Sequence, residues 1–158
     1  MKLKKLLGVI VLPFLAVTLV AQEVEEVVIT GSYIKSSPTD GASPVEIIGR
    51  DEIDNLNATT IADITANIAV NSGSENNTDS FTQGSTQGTS NINIRGLGLS
   101  STLVLIDGKR QTLYSSTAND GSVFVNTSAI PVIALDRVEV LKEGAASVYG
   151  SDAVAGVV

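Results

Sequence analysis

The chain has 158 residues and a net charge of −7, because 17 Asp and Glu residues outnumber 10 Lys and Arg residues. This acidic balance argues against a surface that binds nucleic acid phosphates, and solubility is its simplest explanation. The absence of His and Cys excludes a disulfide framework, the usual zinc sites and the Ser-His-Asp and Cys-His catalytic arrangements, so an enzyme is not expected.

The N-terminus predicts a secretory signal peptide. Three lysines within residues 2–5 precede an apolar run over residues 6–20, and Ala21 stands before the first acidic residues. A charged start, a short apolar run and a small boundary residue are typical of a cleaved signal. A membrane anchor is the alternative, but the run is shorter than the roughly 20 residues of a spanning helix and contains Pro13. Cleavage after Ala21 would leave seven basic residues against 17 acids, a net charge of −10.

Residues 22–43 predict a flexible tether, because they are acidic at first and then rich in Ser, Gly, Pro and Thr. Within the tether, residues 27–30 are four consecutive β-branched residues. Such a segment is suited to add a strand to the sheet edge of a partner. The alternative is that it forms an edge strand of the domain itself.

The first elements of the domain are predicted to be a strand and two short helices. Residues 44–48 predict the strand, and Asp51, with Asp54 three residues later, is predicted to cap the first helix. Thr60 and Asp63 form a capping-box pattern at the start of the second helix. The buried face of this helix is predicted from apolar residues at helical spacing, Ile61, Ile64 and Ile68.

A long polar loop and an alternating segment follow. Phe81 is the one large apolar residue in residues 71–90, and a loop of this length is usually functional or disordered. Residues 91–95 alternate Asn and Ile and end in Arg, which predicts a strand with one buried face. The glycine turn of residues 96–101 comes next. It lacks the third glycine and the following helix of a dinucleotide-binding loop.

Asp107 and Gly108 predict a two-residue hairpin, because they stand between strand-like residues 102–106 and 109–113 and both turn positions need positive φ. Pro131 is compatible with a short helical turn around it. A polar loop is predicted over residues 115–126, followed by a helical turn over 128–134 and a strand over 135–141. A second helical turn is predicted over residues 145–149 and a last strand over 153–158. We therefore predict an α+β fold with a small mixed, partly antiparallel sheet and short helices.

Four segments resemble the plug domain of TonB-dependent outer-membrane receptors, in the order that the family has them. Residues 25–32 (EEVVITGS) are similar to the TonB box, and residues 91–98 (NINIRGLG) to the strand that ends in Ile-Arg-Gly. Residues 102–110 (TLVLIDGKR) are similar to the family's hairpin, and residues 130–158 to its closing segment. Two departures are visible. Residues 142–144 read Lys-Glu-Gly where the family often has Arg-Gly-Pro, and the sequence contains no barrel.

The resemblance implies a signal peptide over residues 1–21, a TonB box and tether over residues 22–43, and a C-terminally truncated plug domain over residues 44–158. The plug would fill a 22-stranded β-barrel in the outer membrane of a Gram-negative bacterium and gate the import of a siderophore, vitamin, glycan or similar ligand. The implied partners are TonB, the receptor's own barrel and a small-molecule or oligosaccharide ligand, without nucleic acid or a cofactor. The alternative function is a free-standing periplasmic binding or signalling module with a plug-like fold.

The resemblance also assigns roles to residues. Arg95 would face the barrel wall and pair with barrel carboxylates, and its alternative is a surface ion pair with Glu139 or Asp136. Because the sequence ends in an apolar run, we expect the coding sequence to continue past Val158. The TonB box would consist of Glu26, Val27, Val28, Ile29, Thr30 and Gly31.

The polar loops are the predicted ligand-facing elements, and plain solvated loops are their alternative. The ligand-facing residues would be Asn76, Asn77, Phe81, Gln83, Gln87, Leu97, Leu99, Ser100 and Tyr114. The structural turn residues would be Gly96, Asp107, Gly108, Gly144 and Gly150. Asp and Asn side chains in these loops leave calcium binding open, although no loop has EF-hand spacing.

Overall fold

The computed structural model describes residues 45–74 and 86–158. The α-helices are α1 (Arg50–Asn55), α2 (Ile61–Thr65) and α3 (Ala146–Tyr149). The strands are β1 (Val45–Gly49), β2 (Thr102–Leu103), β3 (Leu105–Ile106), β4 (Lys109–Arg110), β5 (Arg137–Leu141) and β6 (Gly156–Val157). This confirms the predicted α+β fold with a mixed sheet and short helices. None of the helices in these ranges is long and apolar enough to span a bilayer.

The main sheet has four strands in the order β1-β5-β6-β2. β1 runs antiparallel to β5 over five residue pairs, from Val45 opposite Leu141 to Gly49 opposite Arg137. β6 is antiparallel to β5 and parallel to β2, so the sheet is mixed. β1 and β2 therefore lie at opposite edges of the sheet.

The two N-terminal helices differ in how well their starts were predicted. α2 has the predicted capping box: the Asp63 amide donates to Thr60 Oγ1 at 3.3 Å, and the Thr60 amide donates to Asp63 Oδ2 at 2.9 Å. The hydrogen bonds that the Asp63 carboxylate accepts from Thr60 and Thr59 lower its pKa below the ordinary value. The predicted Asp51 cap is wrong, because β1 runs directly into α1 and Gly49 is the N-cap. Asp51 lies in the first turn, where the helix dipole favours an acid.

Isoleucine is the commonest residue of the apolar interior. Alternate residues of a strand face opposite sides, so Val140 and its neighbour Leu141 contribute to apolar clusters on the two faces of the sheet. The predicted burial of Ile61, Ile64 and Ile68 is confirmed, although α2 ends at Thr65 and Ile68 follows the helix. The larger cluster contains Ile48, Ile53, Ile61, Ile64, Ile68, Ile92, Ile94, Val104, Val140 and Ala155, and the smaller one Leu103, Leu141, Ala145, Ala153 and Val157.

Residues 91–95 do not form the predicted strand with one buried face. Asn91, Ile92, Asn93 and Ile94 are exposed by only 1%, 4%, 7% and 0%, so both faces are buried. Ile94 makes a single isolated bridge to Asn71, and its amide donates to the Thr102 hydroxyl at 3.0 Å. The segment runs through the interior, where side chains replace the ladder hydrogen bonds that a neighbouring strand would supply.

The Asp107-Gly108 hairpin is confirmed, with φ values of 50° and 71° at the two turn residues. Its strands are shorter than predicted because residues 102–103 pair with β6 in the main sheet, and only β3 and β4 pair with each other. The predicted helical turn near Pro131 consists of two separate 3₁₀ turns, Thr127–Ala129 and Val132–Ala134. Two further 3₁₀ turns are Leu99–Ser101 and Ser151–Ala153.

Candidate functional site

Two loops on either side of residues 102–110 meet in a small apolar cluster. Leu99, from the glycine turn, is buried against Ala118 and Phe124 of the loop over residues 111–126. Tyr114 packs on the same cluster, with 5.5 Å between its ring centre and that of Phe124. The Tyr114 amide also donates to the Phe124 carbonyl at 2.7 Å and closes the base of the loop. The glycine turn and the loop of residues 111–126 therefore form one structural unit.

The buried Asn93 side chain ties the glycine turn to the start of the long polar loop. Its Oδ1 accepts from the Gly98 amide at 3.1 Å, and its Nδ2 donates to the Gly73 carbonyl at 3.2 Å. The Asn93 amide donates to Asn71 Oδ1 at 3.0 Å, and Ser74 Oγ also donates to that oxygen. The side-chain carboxamides of Asn71 and Asn93 thus supply hydrogen bonds to backbone groups that have no backbone partner there.

A second polar cluster joins the end of the long loop to residues 111–126. Asn126 Oδ1 accepts from the amides of Ser90 and Ser128 at 3.2 and 3.1 Å. The hydroxyls of Ser90 and Thr127 lie 2.7 Å apart, and the Thr127 amide donates to the Ser90 carbonyl at 2.9 Å. Thr89 and Ser90 are buried, so this end of the long loop is not fully solvated. Described residues of all three predicted loops, 71–90, 96–101 and 115–126, therefore contact one another or residues 90–99. We call residues 86–90, 96–101 and 111–126, which extend the predicted third loop by four residues, the loop cluster.

Sequence reasoning did not single out Asn93, Asn126, Ser90 or Thr127 as organisers of the loops. Their signal in the sequence is weak, because Asn, Ser and Thr occur throughout these segments. What distinguishes the four residues is burial beside backbone groups that need a partner, and this depends on contacts between positions up to 37 residues apart.

The predicted ligand-facing residues divide by exposure. Gln87, Leu97 and Ser100 are exposed on the loop cluster, and Tyr114 is partly buried. Leu99 is only 4% exposed and packs beneath the cluster, so it supports the loops from inside. Asn76, Asn77, Phe81 and Gln83 lie outside the described residues, as does the whole TonB box, Glu26 to Gly31.

Arg95 adopts the left-handed conformation, with φ of 58°, directly before the glycine turn. Its guanidinium is 3.1 Å from Glu143 Oε1, and the two side chains are 40% and 55% exposed. Arg95 therefore forms a surface ion pair, as the alternative interpretation of the sequence expected, but its partner is Glu143. The alternative partners that the sequence suggested, Glu139 and Asp136, lie within ion-pair distance of Arg137. Contact with a barrel wall stays a prediction.

Four of the five predicted turn residues have positive φ, namely Gly96, Asp107, Gly108 and Gly150. Gly144 has no positive φ and serves a different purpose: a Cβ there would lie 2.8 Å from the Val154 carbonyl oxygen. Gly156, which the sequence did not single out, allows a similar close approach. A Cβ on it would press on the Leu141 carbonyl oxygen and lie 2.8 Å from Ile94 Cδ1.

A separate cleft of about 450 Å³ lies between the β3–β4 hairpin and β5, and none of the predicted ligand-facing residues lines it. Its walls include Ile92, Val104, Asp107 and Val138. The described ranges contain no group of three or more acidic residues placed to hold a metal ion. The loop cluster is therefore the candidate functional site, and its exposed groups can offer hydrogen bonds and apolar contacts.

Comparisons with known proteins agree on one family. A family model described as the TonB-dependent receptor plug domain matches residues 37–157. The vitamin B12 transporter of Vibrio vulnificus (strain YJ016) is 33% identical over 141 residues, which cover 87% of this chain and 21% of that protein. The iron-regulated outer membrane virulence protein of Vibrio cholerae (strain N16961) is 39% identical over 71 residues, covering 44% and 11%.

A solved structure is similar as well. The ferric enterobactin receptor of Pseudomonas aeruginosa shares 28% identity with a TM-score of 0.50, and the match covers 75% of this chain and 17% of that one. The chain thus spans about a fifth of the length of the vitamin B12 transporter and less of the other two relatives.

Proposed function

Because this chain belongs to the TonB-dependent receptor plug-domain family, we propose that it is the gate of an outer-membrane active transporter. The family match over residues 37–157 confirms the plug-domain resemblance of the three segments within it, and the TonB box over residues 25–32 stays a prediction. The relatives are named as transporters and receptors, which agrees with the prediction that the chain is not an enzyme. The observation that carries the proposal is the convergence of three polar loops into one cluster on a plug-domain fold.

The ligand would contact the loop cluster from outside the cell. The relatives are named for vitamin B12 and for ferric enterobactin, so a small imported ligand is the expected substrate. A ligand that contacts Leu97 or Ser100 would act on the turn that Asn93 holds through the Gly98 amide. Ligand contact could therefore reach the buried segment of residues 91–94 without any covalent chemistry.

TonB would engage residues 26–31 from the periplasm. The segment is rich in β-branched residues and suits pairing with a sheet edge, where main-chain hydrogen bonds supply most of the grip. The tether of residues 22–43 could extend roughly 70 Å at about 3.3 Å per residue. A pull on it would first load β1, which is an edge strand paired with β5.

Arg95 would stabilise the closed plug against the barrel wall. Within the described residues the Arg95 guanidinium pairs with Glu143, and an exposed pair of this kind contributes about 0–1 kcal/mol. A barrel carboxylate in a less solvated lumen would bind the guanidinium more strongly, since Coulombic attraction grows as the effective dielectric constant falls.

The test compares two substitutions of Ile29 in the complete receptor. Ile29→Pro removes a main-chain donor and should abolish TonB-dependent uptake, while Ile29→Val keeps the backbone and should be nearly silent. Uptake by Ile29→Pro equal to that of the wild type would overturn the proposed TonB contact.

N-terminal sequencing of the exported protein should begin at Gln22, and a retained Met1 in the membrane fraction would contradict a cleaved signal.

A further inference from the structure

Residues 142–153, which begin with the Lys-Glu-Gly departure from the family's sequence, form a compact loop after β5. The Ala145 amide donates to the Ala153 carbonyl at 2.8 Å and closes the loop. The base of the loop is tightly folded, because a Cβ on Gly144 would lie only 2.8 Å from the Val154 carbonyl oxygen. Ala145 and Ala153 are also buried in the smaller apolar cluster. The loop, which we call the anchor loop, therefore packs as one unit.

The anchor loop contains one partner of every ion pair between described residues that stand more than four positions apart in the sequence. These pairs are Arg95–Glu143, Arg110–Asp152 and Lys142–Glu46, at 3.1, 2.5 and 3.0 Å. The Arg110 guanidinium also donates to the Tyr149 carbonyl, at the end of α3. The anchor loop thus contacts the residue before the glycine turn, the hairpin strand β4 and the edge strand β1.

The glycine turn is attached to this part of the chain at both ends. Arg95 precedes the turn and pairs with Glu143 of the anchor loop. At the other end, the Ser101 carbonyl accepts from the amide of Ala155, just beyond the anchor loop, at 2.9 Å. A displacement of the anchor loop would therefore act on both ends of the turn, and on the hairpin through Arg110.

The pull proposed for the tether would act first at the base of the anchor loop. β1 begins at Val45, and Val45 lies opposite Leu141, the last residue of β5. Glu46 follows Val45 and forms its ion pair with Lys142, the first residue of the anchor loop. Because the ladder hydrogen bonds run perpendicular to the strands, a load that lifts the N-terminal end of β1 separates these contacts before those nearer Gly49.

We propose that the anchor loop is the coupling element of the gate, and that it transmits displacement of β1 to the glycine turn and the hairpin through Glu143 and Asp152. This rests on the proposed function, since a pull on the tether is part of it. Glu143 and Asp152 are positioning residues, because they act through Arg95 and Arg110. Each exposed ion pair is weak alone, and segments that move in a mechanism are expected to have low local stability.

The experiment is hydrogen exchange of the isotope-labelled full chain, followed by nuclear magnetic resonance. The reporters are the amides of Leu97 and Gly98 in the glycine turn, which donate to the Ile94 carbonyl and to Asn93 Oδ1. Glu46→Gln removes the ionic contact between β1 and the anchor loop. It should speed exchange of both reporters by about two- to fivefold, the range expected for loss of an exposed ion pair.

A second substitution tests whether the effect passes through the anchor loop. Glu143→Gln alone should also speed exchange of the reporters by about two- to fivefold. Adding Glu46→Gln to it should have little further effect, because the anchor loop has then lost its ionic hold on Arg95. Exchanging the two charges, with Arg95→Glu and Glu143→Arg in one chain, should restore slow exchange, which a role in packing alone would not do.

Asp54→Asn is the matched control, because it removes one acid from an exposed ion pair outside the anchor loop, Arg50–Asp54. It should leave exchange of the reporters unchanged. Reporter exchange that Glu46→Gln leaves unchanged, or speeds equally with and without Glu143, would overturn the inference, as would an equal effect of Asp54→Asn.

The proposed function fails separately, through uptake that does not depend on TonB or on Ile29. Uptake that still requires Ile29 while Glu46→Gln leaves the reporters unchanged would refute the anchor loop as the coupling element and leave the gate intact.

Discussion

Gly156→Ala should destabilise the chain more than its single added methyl group suggests. β6 lies between β5 and β2, and the new Cβ would press on the Leu141 carbonyl oxygen and lie 2.8 Å from Ile94 Cδ1. Neither the Leu141 carbonyl group nor the Ile94 side chain can move away easily. The carbonyl belongs to the backbone where β5 pairs with β6, and the Ile94 side chain is fully buried.

The expected loss has two parts. Overpacking of a well-packed interior costs about 1–3 kcal/mol, and a weakened ladder hydrogen bond adds about 1 kcal/mol. A total of about 2–4 kcal/mol corresponds to a fall in Tm of roughly 8–16 °C, at about 4 °C per kcal/mol for a domain of this size. Urea unfolding and thermal unfolding of the full chain, followed by circular dichroism, measure both quantities.

Gly49→Ala is the matched control, because no atom lies within 4 Å of its added Cβ and its φ is −77°. Its free energy of unfolding should stay within about 0.5 kcal/mol of the wild type. Alanine is a slightly poorer N-cap than glycine, but it also lowers the conformational entropy of the unfolded chain, and the two effects oppose each other. A silent Gly156→Ala variant, or equal losses for the two substitutions, would refute the close-approach argument.

Four further outcomes are expected. Thr60→Ala should cost about 1 kcal/mol by removing the hydroxyl that accepts from the Asp63 amide. Because hydrogen bonds lower the folded pKa of Asp63, its carboxylate should stabilise the fold above pH 3.8 and lose this effect as the pH falls through the lower folded pKa; the deficit of Asp63→Asn should therefore shrink in acid, and a deficit that is constant with pH would contradict this. Asn93→Ala should cost about 1–3 kcal/mol and speed hydrogen exchange of the Gly98 amide, which loses its acceptor, whereas unchanged exchange would show that the amide has another partner. Arg95→Ala should change the stability of the chain by less than about 1 kcal/mol yet reduce uptake by the complete receptor, and unimpaired uptake would leave Arg95 with the Glu143 pair alone.

The features that the sequence predicted well are decided by chemistry within a few residues. The Thr60–Asp63 capping box and the Asp107-Gly108 turn need only neighbours along the chain, so their patterns identify them. The plug-domain resemblance rests likewise on short segments of recognisable composition. Local patterns were therefore sufficient for the fold class and for most of the turns.

The features that the sequence did not predict depend on distant partners. The alternation of Asn and Ile in residues 91–94 is also typical of a half-buried strand, and only carboxamide bonds to residues such as Gly98 and Gly73 make burial of Asn93 tolerable. Gly156 likewise has no local signature, because its need for glycine comes from Leu141 and Ile94. Long-range contacts of this kind set the organisation of the candidate site.

The most direct test of the gate is disulfide trapping in cells between the receptor and a TonB protein that carries a single cysteine. Residues 1–158 contain no Cys, so Val28→Cys places their single thiol in the proposed TonB box. Leu113→Cys places an exposed thiol on the loop cluster as a control. The account predicts a cross-link to TonB at position 28 and none at position 113. No cross-link at position 28, or equal cross-linking at both positions, would contradict the proposal that TonB opens this plug through its N-terminal segment.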